Sequence, residues 1–234
     1  MSFDTKVALV TGSRQGIGRF LAEQLVAAGC RVVGCSLQPA DWTLEKYTHL
    51  KADVSDEQDV KQLFEFVRST FGRLDFTINN AGIASMNHSM LMPGSAAGRI
   101  MNANFLGTFL VSRESAKLMQ RRKTGRIVNL SSVAVPMRLE GEAVYAASKS
   151  AVETLTRILA HELGPLGVTV NAVGPAPVAT NLIRGVPAEA VERITQRLAV
   201  KRLGTFEDVW NVVEFFLRPQ SSYVSGQVIY LGGA

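Results

Sequence analysis

The chain has 234 residues and is 47% hydrophobic, which allows a large buried core and still fits one domain, 1–234, of the α/β kind. Its formal net charge is +5, but lysine and arginine are spread along the sequence. The one compact basic run, at 121–123, is typical of a solvated helix end. The charge pattern therefore argues against nucleic-acid binding, and it is compatible with an anionic cofactor.

Cysteine usage and hydropathy bear on the compartment. Cys30 and Cys35 lie at the two ends of one extended apolar stretch, about 16 Å apart on opposite faces, so they cannot form a disulfide with each other. The sequence has no N-terminal apolar signal segment, and no apolar run reaches about 18 residues. We therefore expect a cytoplasmic protein that is not attached to a membrane.

Short apolar runs alternate with helical patterns along most of the chain. The runs predict strands at Val7–Val10, Arg31–Cys35, Phe76–Ile78, Arg126–Leu130, Val168–Val173 and Val228–Leu231. Helical spacing predicts helices at Gly16–Ala28, Asp56–Phe71, Ala96–Arg122, Val144–Leu163, Pro187–Ala199 and Thr205–Leu217, with Ser55 and Thr205 as capping residues. Strands that are apolar on both faces indicate a Rossmann-type, doubly wound parallel sheet with helices on both faces. Ligands of such a sheet bind at the carboxyl ends of its strands.

The first predicted strand runs directly into a glycine-rich turn, Thr-Gly-Ser-Arg-Gln-Gly-Ile-Gly at 11–18. Gly12 permits a tight turn, Gly16 lets backbone N–H groups approach a pyrophosphate, and Gly18 lets the first helix pack closely on the sheet. The N-terminus of that helix then faces the anion. A turn of this kind between the first strand and the first helix predicts dinucleotide binding.

Tyr145 and Lys149 stand four residues apart near the start of a helical pattern, so both side chains project from one helix face. A free tyrosine titrates near pH ~10. A nearby ammonium group and a nicotinamide cation would both favour the phenolate and lower that pKa. The pair is therefore a candidate for proton transfer.

The glycine spacing resembles the turn of the short-chain dehydrogenase/reductase family. Asn79-Asn80-Ala81-Gly82 matches the Asn-Asn-Ala-Gly motif of that family, and Ser132 lies thirteen residues before Tyr145, which is the family's serine-to-tyrosine spacing. The segment 223–227 resembles the family's final turn. The similarity therefore covers essentially the whole chain.

The resemblance implies a catalytic group made of Ser132, Tyr145, Lys149 and Asn104. The Ser132 hydroxyl would bond to the substrate oxygen while Tyr145 exchanges a proton with it and hydride moves to or from the nicotinamide. Asn104 would hold a water molecule next to the lysine. Ser131 is the alternative serine, and we predict no metal ion in the site.

The resemblance also implies the cofactor contacts. Asp53 and Val54 follow a third strand, where family members hold the adenine ring, and Thr180 would bind the nicotinamide carboxamide. Ala176 replaces a usual glycine, so a positive φ there would be strained. The implied cofactor-binding residues are Gly12, Ser13, Arg14, Gly16, Ile17, Gly18, Ser36, Asp53, Val54, Asn80, Ala81, Gly82, Tyr145, Lys149, Pro175, Val178 and Thr180.

The end of the second strand bears on the choice of dinucleotide. An acidic residue there would bind the ribose of NAD and repel the phosphate of NADP, but Ser36 occupies the position. Arg14 can pair with a 2′-phosphate. Leu37 stands where many NADP-using relatives carry a basic residue. We favour NADP(H) over NAD(H).

Overall, the sequence is most similar to the 3-oxoacyl-[acyl-carrier-protein] reductases, which implies reduction of a small-molecule or carrier-linked carbonyl substrate, with 3-oxoacyl thioesters as one class. Lys123 stands where a carrier-docking residue is expected, whereas Leu166 occupies the second such position. The alternatives are an NAD-dependent dehydrogenase of a secondary alcohol or dihydrodiol, and a dinucleotide-binding sensor without turnover. The family also implies a homotetramer or homodimer built on the long helices around Asn104 and Tyr145.

Overall fold

Within residues 2–179 and 188–234, which the computed structural model describes, seven strands form one parallel sheet. The sheet order is β3-β2-β1-β4-β5-β6-β7. The strands are β1 (Val7–Thr11), β2 (Arg31–Ser36), β3 (Tyr47–Lys51), β4 (Phe76–Asn79), β5 (Gly125–Leu130), β6 (Val168–Gly174) and β7 (Val228–Tyr230). The order reverses at β1 and β4, so the fold places its ligand crevice at the carboxyl ends of these two strands.

Helices cover both faces of the sheet. They are α1 (Gly16–Ala27), α2 (Glu57–Phe71), α3 (Gly94–Met101), α4 (Gly107–Met119), α5 (Ala134–Met137), α6 (Ala143–Leu163), α7 (Ala188–Arg197) and α8 (Phe206–Leu217). A π-helical turn, Asn102–Leu106, joins α3 to α4. The predicted fold class, a doubly wound α/β sheet, is confirmed.

The sheet is buried because neighbouring residues of each strand pack apolar side chains against opposite helix layers. Leu9 of β1 lies in a cluster with residues of α2, α4 and α6, and the adjacent Val10 lies in a cluster with residues of α1 and α8. Cys35 belongs to the first cluster and Cys30 to the second, and both are free thiols. The prediction that the two cysteines lie on opposite faces is confirmed.

The six strands predicted from apolar runs are present, with ends that differ by a residue or so. β3 gave no such apolar run, because Tyr47–Lys51 lies at the edge of the sheet and consists of half-buried and exposed residues, three of them polar or charged. Only the family resemblance implied a strand there. An edge strand keeps one side open to solvent, so its sequence need not be apolar.

Two helix predictions need correction. The predicted helix Ala96–Arg122 is instead α3, the π turn and α4, followed by a short 3₁₀ segment. Ser55 does not cap α2, because Asp56 occupies the cap position and accepts hydrogen bonds from the amides of Gln58 and Asp59. Thr205 does cap α8, through a capping box with Asp208.

Among the described helices, none combines the length and the apolar character needed to span a bilayer. The basic run at 121–123 is exposed at the end of α4, as predicted.

Candidate active site

The glycine turn is held at the carboxyl end of β1 by the turn that follows β4. Gly12 and Gly16 have positive φ values of 68° and 60°, a conformation that glycine adopts without strain. The Asn80 side chain donates to the carbonyls of Thr11 at 2.9 Å and Gly12 at 3.1 Å. A Cβ atom at Gly18 would overlap the Gly12 carbonyl and the Asn80 amide. The predicted roles of Gly12 and Gly18 in the tight turn and close helix packing therefore agree with the backbone.

The end of β2 carries no acidic side chain and several polar contacts. The Arg14 amide donates to Ser36 Oγ at 3.1 Å, and Ser36 Oγ donates to the Cys35 carbonyl at 2.7 Å. Ser13 Oγ and Tyr47 OH lie 2.9 Å apart, within hydrogen-bond distance. Ser13, Arg14 and Ser36 thus converge on one corner of the crevice.

Two further basic residues, His49 and Lys51 of β3, lie near Arg14 at this corner. Arg14 Nε and His49 Nε2 are buried and have no hydrogen-bond partner among the described residues. Burial lowers the pKa of His49, and the neighbouring Arg14 charge lowers it further. Lys51 pairs in register with Ser36. Sequence reasoning did not single out His49 or Lys51, because the pairing of β2 with β3 is what brings them here.

The residues expected near the adenine ring lie just beyond β3. Asp53 Oδ1 accepts from the Ser55 amide at 2.9 Å and from Ser55 Oγ at 2.7 Å. Val54 is buried against Gly107, where an added Cβ would come within 2.6 Å of a Val54 methyl group. The local bonds of Asp53 fix the loop that would border the ring.

Ser132, Tyr145 and Lys149 line one cavity of about 310 Å³ at the carboxyl ends of β4, β5 and β6. Lys149 Nζ donates to the Leu130 carbonyl at 2.7 Å and lies 5.9 Å from the centroid of the Tyr145 ring. Ile17, Asn80, Gly82, Pro175 and Val178 line the same cavity. The structure therefore brings the predicted catalytic side chains and part of the predicted cofactor set together.

Burial controls the protonation of this group. It lowers the pKa of Lys149 to about 8. Burial also raises the pKa of Tyr145 to about 12. A hydrogen bond with Ser132 opposes this rise, and the Glu142 charge makes a smaller contribution that adds to it. An oxidised nicotinamide would add its positive charge to that of the Lys149 ammonium, and both charges would lower the Tyr145 pKa from this value.

The two candidate serines have different surroundings. Ser131 Oγ is buried and donates to Glu153 Oε1 at 2.5 Å, and Tyr230 OH donates to the same oxygen at 2.7 Å. Ser132 Oγ accepts from the Ala134 amide at 3.1 Å and is partly exposed in the cavity. The Ser131 hydroxyl is committed to the network below the site, which leaves Ser132 as the serine available to a substrate.

Asn104 is fully buried in the π turn between α3 and α4. Its side chain accepts from the Ile83 amide at 2.8 Å and donates to the Ile83 carbonyl at 3.0 Å and to Ser148 Oγ at 2.9 Å. π-Helical turns are frequent at functional sites. Here the turn orients Asn104 so that it fixes the segment after Gly82 and contacts α6 one residue before Lys149.

The loop after β6 contributes the remaining predicted residues. The Pro175 carbonyl accepts from the Val133 amide at 3.2 Å, and Val178 pairs with Gly204 in an isolated bridge. Ala176 is not among the residues with positive φ, so the strain considered for it does not arise. Thr180 lies outside the described residues.

Glu142 is the cavity residue whose role sequence reasoning missed. It stood in a stretch of mixed residues, and nothing in the sequence separated a carboxylate in the cavity from one at the rim or in solvent. The structure places Glu142 in the lining of the cavity, where burial raises its pKa.

A glycine turn at the reversal point of a parallel sheet, beside a cavity with a buried Tyr-Lys pair, is the architecture of a dinucleotide-dependent oxidoreductase. Comparisons with known proteins agree. Residues 12–233 match a family model described as enoyl-(acyl carrier protein) reductase.

The relatives extend over the full length of the chain. The chain is 32% identical to a 3-oxoacyl-[acyl-carrier-protein] reductase of Salmonella typhimurium, covering 100% of this chain and 98% of that protein. It is 36% identical to a short-chain type dehydrogenase/reductase of Picea abies, covering 97% and 91%. The solved aldohexose dehydrogenase of Thermoplasma acidophilum superposes with a TM-score of 0.90 at 30% identity, covering 98% and 94%. The chain belongs to the short-chain dehydrogenase/reductase family and is an NAD(P)-dependent oxidoreductase.

Proposed function

We propose that this protein reduces a ketone to a secondary alcohol with NADPH, using Ser132, Tyr145, Lys149 and Asn104. The observation that carries the proposal is the placement of Ser132, Tyr145 and Lys149 in one cavity beside the glycine turn. A sensor that only binds dinucleotide would have no need of the Ser132 hydroxyl beside Tyr145 in the substrate cavity.

Each side chain has a distinct task. Ser132 Oγ and Tyr145 OH bind the substrate oxygen, and Tyr145 donates the proton that converts this oxygen to a hydroxyl. Lys149 stabilises the phenolate that remains, and Asn104 fixes the adjoining segment at Ile83. When bound, NADPH would supply the hydride, and only its oxidised form, NADP⁺, has a positively charged nicotinamide ring.

The same group serves both directions, because Tyr145 donates a proton in carbonyl reduction and its phenolate accepts one in alcohol oxidation. Burial raises the pKa of Tyr145 and holds the phenol protonated at neutral pH, which is the form that carbonyl reduction uses. The dehydrogenase of a secondary alcohol or dihydrodiol is the second candidate.

Three observations support NADP(H) over NAD(H). The end of β2 holds Ser36 in place of an acid, Arg14 Nε and His49 Nε2 are buried without partners in residues 2–179 and 188–234, and Lys51 lies opposite Ser36 in the register of β2 and β3. Unpaired buried donors of this kind are satisfied by an anion. Arg14 and Ser36 would hold the 2′-phosphate, and Gly12, Gly16 and Gly18 would admit the pyrophosphate.

The names of the relatives indicate which classes of substrate should be tested with this protein. A 3-oxoacyl thioester on a carrier protein is one candidate, and the exposed Lys123 offers one basic contact for an acidic carrier. A hydroxylated ketone is another, in view of the aldohexose dehydrogenase among the neighbours. We further propose a homotetramer or homodimer through the long helices, where Ile158 of α6 leaves 50% of its surface exposed.

The test is steady-state oxidation of NADPH and NADH, side by side, against simple ketones, hydroxyketones, a 3-oxoacyl thioester and an enoyl thioester. We expect reduction of a ketone, with NADPH preferred by at least about tenfold in kcat/KM. Preference for NADH would refute the cofactor assignment, and reduction of the enoyl thioester alone would refute the ketoreductase assignment.

The affinity for nucleotides tests the cofactor assignment independently of turnover. 2′,5′-ADP should bind more tightly than 5′-AMP, which lacks the 2′-phosphate, and Arg14→Gln should remove most of the difference. Equal binding of the two nucleotides to the unaltered protein would show that no 2′-phosphate site exists at Arg14 and Ser36.

A further inference from the structure

Glu142 is a carboxylate that the catalytic scheme does not use. It lies directly before α6, where a side chain commonly accepts hydrogen bonds from the first amides of the helix. The Glu142 side chain makes no such capping bond. Within residues 2–179 and 188–234 it has no hydrogen-bond or ion-pair partner, and it lines the cavity.

The cavity that Glu142 lines is mostly apolar. Leu139, Val191 and Ile194 belong to the same lining, and the charged side chains in the described part of that lining are Glu142 and Lys149. Lys149 is engaged by the Leu130 carbonyl. Among residues 2–179 and 188–234, no donor pairs with the Glu142 carboxylate, so it is a strong acceptor that lines the substrate space.

An acceptor that loses water without gaining a donor is destabilised. Partial burial of Glu142 raises the pKa of its carboxyl group, which is the direction expected for a carboxylate that has lost some of its water. A ligand that brings a hydrogen-bond donor to the carboxylate restores the lost bond. A ligand that brings only a methyl group does not.

The position of Glu142 limits where that donor must be. Glu142 is the N-cap residue of α6 and precedes Tyr145 by three residues, so the two residues lie about one helical turn apart along the chain. The two groups are close enough that the Glu142 charge raises the pKa of Tyr145. A substrate whose oxygen bonds to Tyr145 would therefore meet Glu142 through a group close to the reacting carbon.

We propose that Glu142 forms a hydroxyl-binding subsite, which selects ketones with a hydroxyl group about one or two carbon atoms from the reacting carbonyl. The inference rests on the proposed ketoreductase function and narrows its substrate class. An ionised carboxylate accepts from a hydroxyl and repels a substrate carboxylate at the same place.

The test compares two ketones of nearly equal shape, 3-hydroxybutan-2-one and 3-methylbutan-2-one, in which a hydroxyl replaces a methyl group. The unaltered enzyme should prefer the hydroxyketone by at least about tenfold in kcat/KM. Glu142→Leu should reduce this ratio by at least about tenfold, mainly through loss of activity on the hydroxyketone. Glu142→Gln keeps an acceptor oxygen, so its kcat/KM ratio for the two ketones should lie between those of the unaltered enzyme and Glu142→Leu.

Glu140→Leu is the matched control, because Glu140 is exposed and does not line the cavity. It should leave the ratio unchanged. An unchanged ratio in Glu142→Leu, or an equal loss on both ketones, would overturn the subsite. So would a Glu142→Leu defect confined to a 3-oxoacyl thioester, since a protonated Glu142 would then be acting as a donor.

Ketone binding to a variant that cannot turn over tests the hydroxyl-binding subsite independently of the proposed ketoreductase activity. In Tyr145→Phe protein with saturating NADPH, the affinity for each ketone can be read from the change in NADPH fluorescence. Preferential binding of the hydroxyketone that disappears in the Tyr145→Phe, Glu142→Leu double variant supports the subsite even if turnover is absent. Equal binding of both ketones refutes the subsite, whereas failure of the unaltered protein to reduce any ketone refutes the function.

Discussion

Replacing Asn104 by alanine should destabilise the protein and disturb the active site together. The Asn104 side chain is fully buried and makes three hydrogen bonds, two to the main chain of Ile83 and one to Ser148. At about 1 kcal/mol net for each bond, the variant should lose about 3 kcal/mol of unfolding free energy. For a chain of this size, that corresponds to a fall of about 6–12 °C in Tm.

The assay is urea denaturation of Asn104→Ala, followed by circular dichroism, beside a thermal melt. Asn102→Ala makes the same substitution on the exposed side of the same π turn, and it should change stability by less than about 0.5 kcal/mol. At a temperature where both variants are folded, Asn104→Ala should also lose turnover. Equal stability and equal turnover of the two variants would refute the role assigned to the Ile83 contacts.

Burial lowers the pKa of Lys149 from 10.5 to about 8, so between these pH values the unfolded chain binds more protons and stability rises with pH. Below pH 8 the buried ammonium destabilises the fold by about 3 kcal/mol, which follows from the difference between a pKa of 10.5 and one of about 8. Lys149→Met removes this cost but also the hydrogen bond to the Leu130 carbonyl, worth about 1 kcal/mol, so it should add about 2 kcal/mol of unfolding free energy at neutral pH. Urea titrations should find this gain lost near pH 10.5. Thr205→Ala should cost about 1 kcal/mol in the same assay by removing the cap of α8, and Thr205→Ser should not. Gly18→Ala should weaken NADPH binding in a fluorescence titration by at least about tenfold, since its Cβ overlaps the glycine turn. Gly98→Ala, where an added Cβ meets nothing within 4 Å, should leave binding unchanged.

The features that sequence predicts best are those set by local pattern. The interval of four between Tyr145 and Lys149 places both side chains on one face of any helix, and α6 begins at Ala143 as the pattern requires. The strands β1, β5 and β6 are buried on both faces, so their apolar runs leave little doubt about their assignment.

The features that sequence misses depend on tertiary contacts. The π turn at Asn102–Leu106 sits in a sequence that is compatible with a regular helix, and only the bonds of Asn104 to Ile83 distinguish it. His49 reaches the corner of Arg14 through the pairing of β2 with β3. The direction of the Glu142 side chain is likewise a tertiary outcome, because a residue before a helix can equally well cap it.

The most direct test of the catalytic group is Tyr145→Phe, which removes one hydroxyl and keeps the ring. Tyr223→Phe is the matched control, because Tyr223 is fully exposed. Ketone-dependent NADPH oxidation and NADPH affinity should be measured on both variants. We expect Tyr145→Phe to lose at least about 100-fold in kcat with NADPH affinity within about threefold of the unaltered protein, and Tyr223→Phe to be unaffected. Turnover of Tyr145→Phe equal to that of Tyr223→Phe would contradict the assignment of Tyr145 as the proton donor.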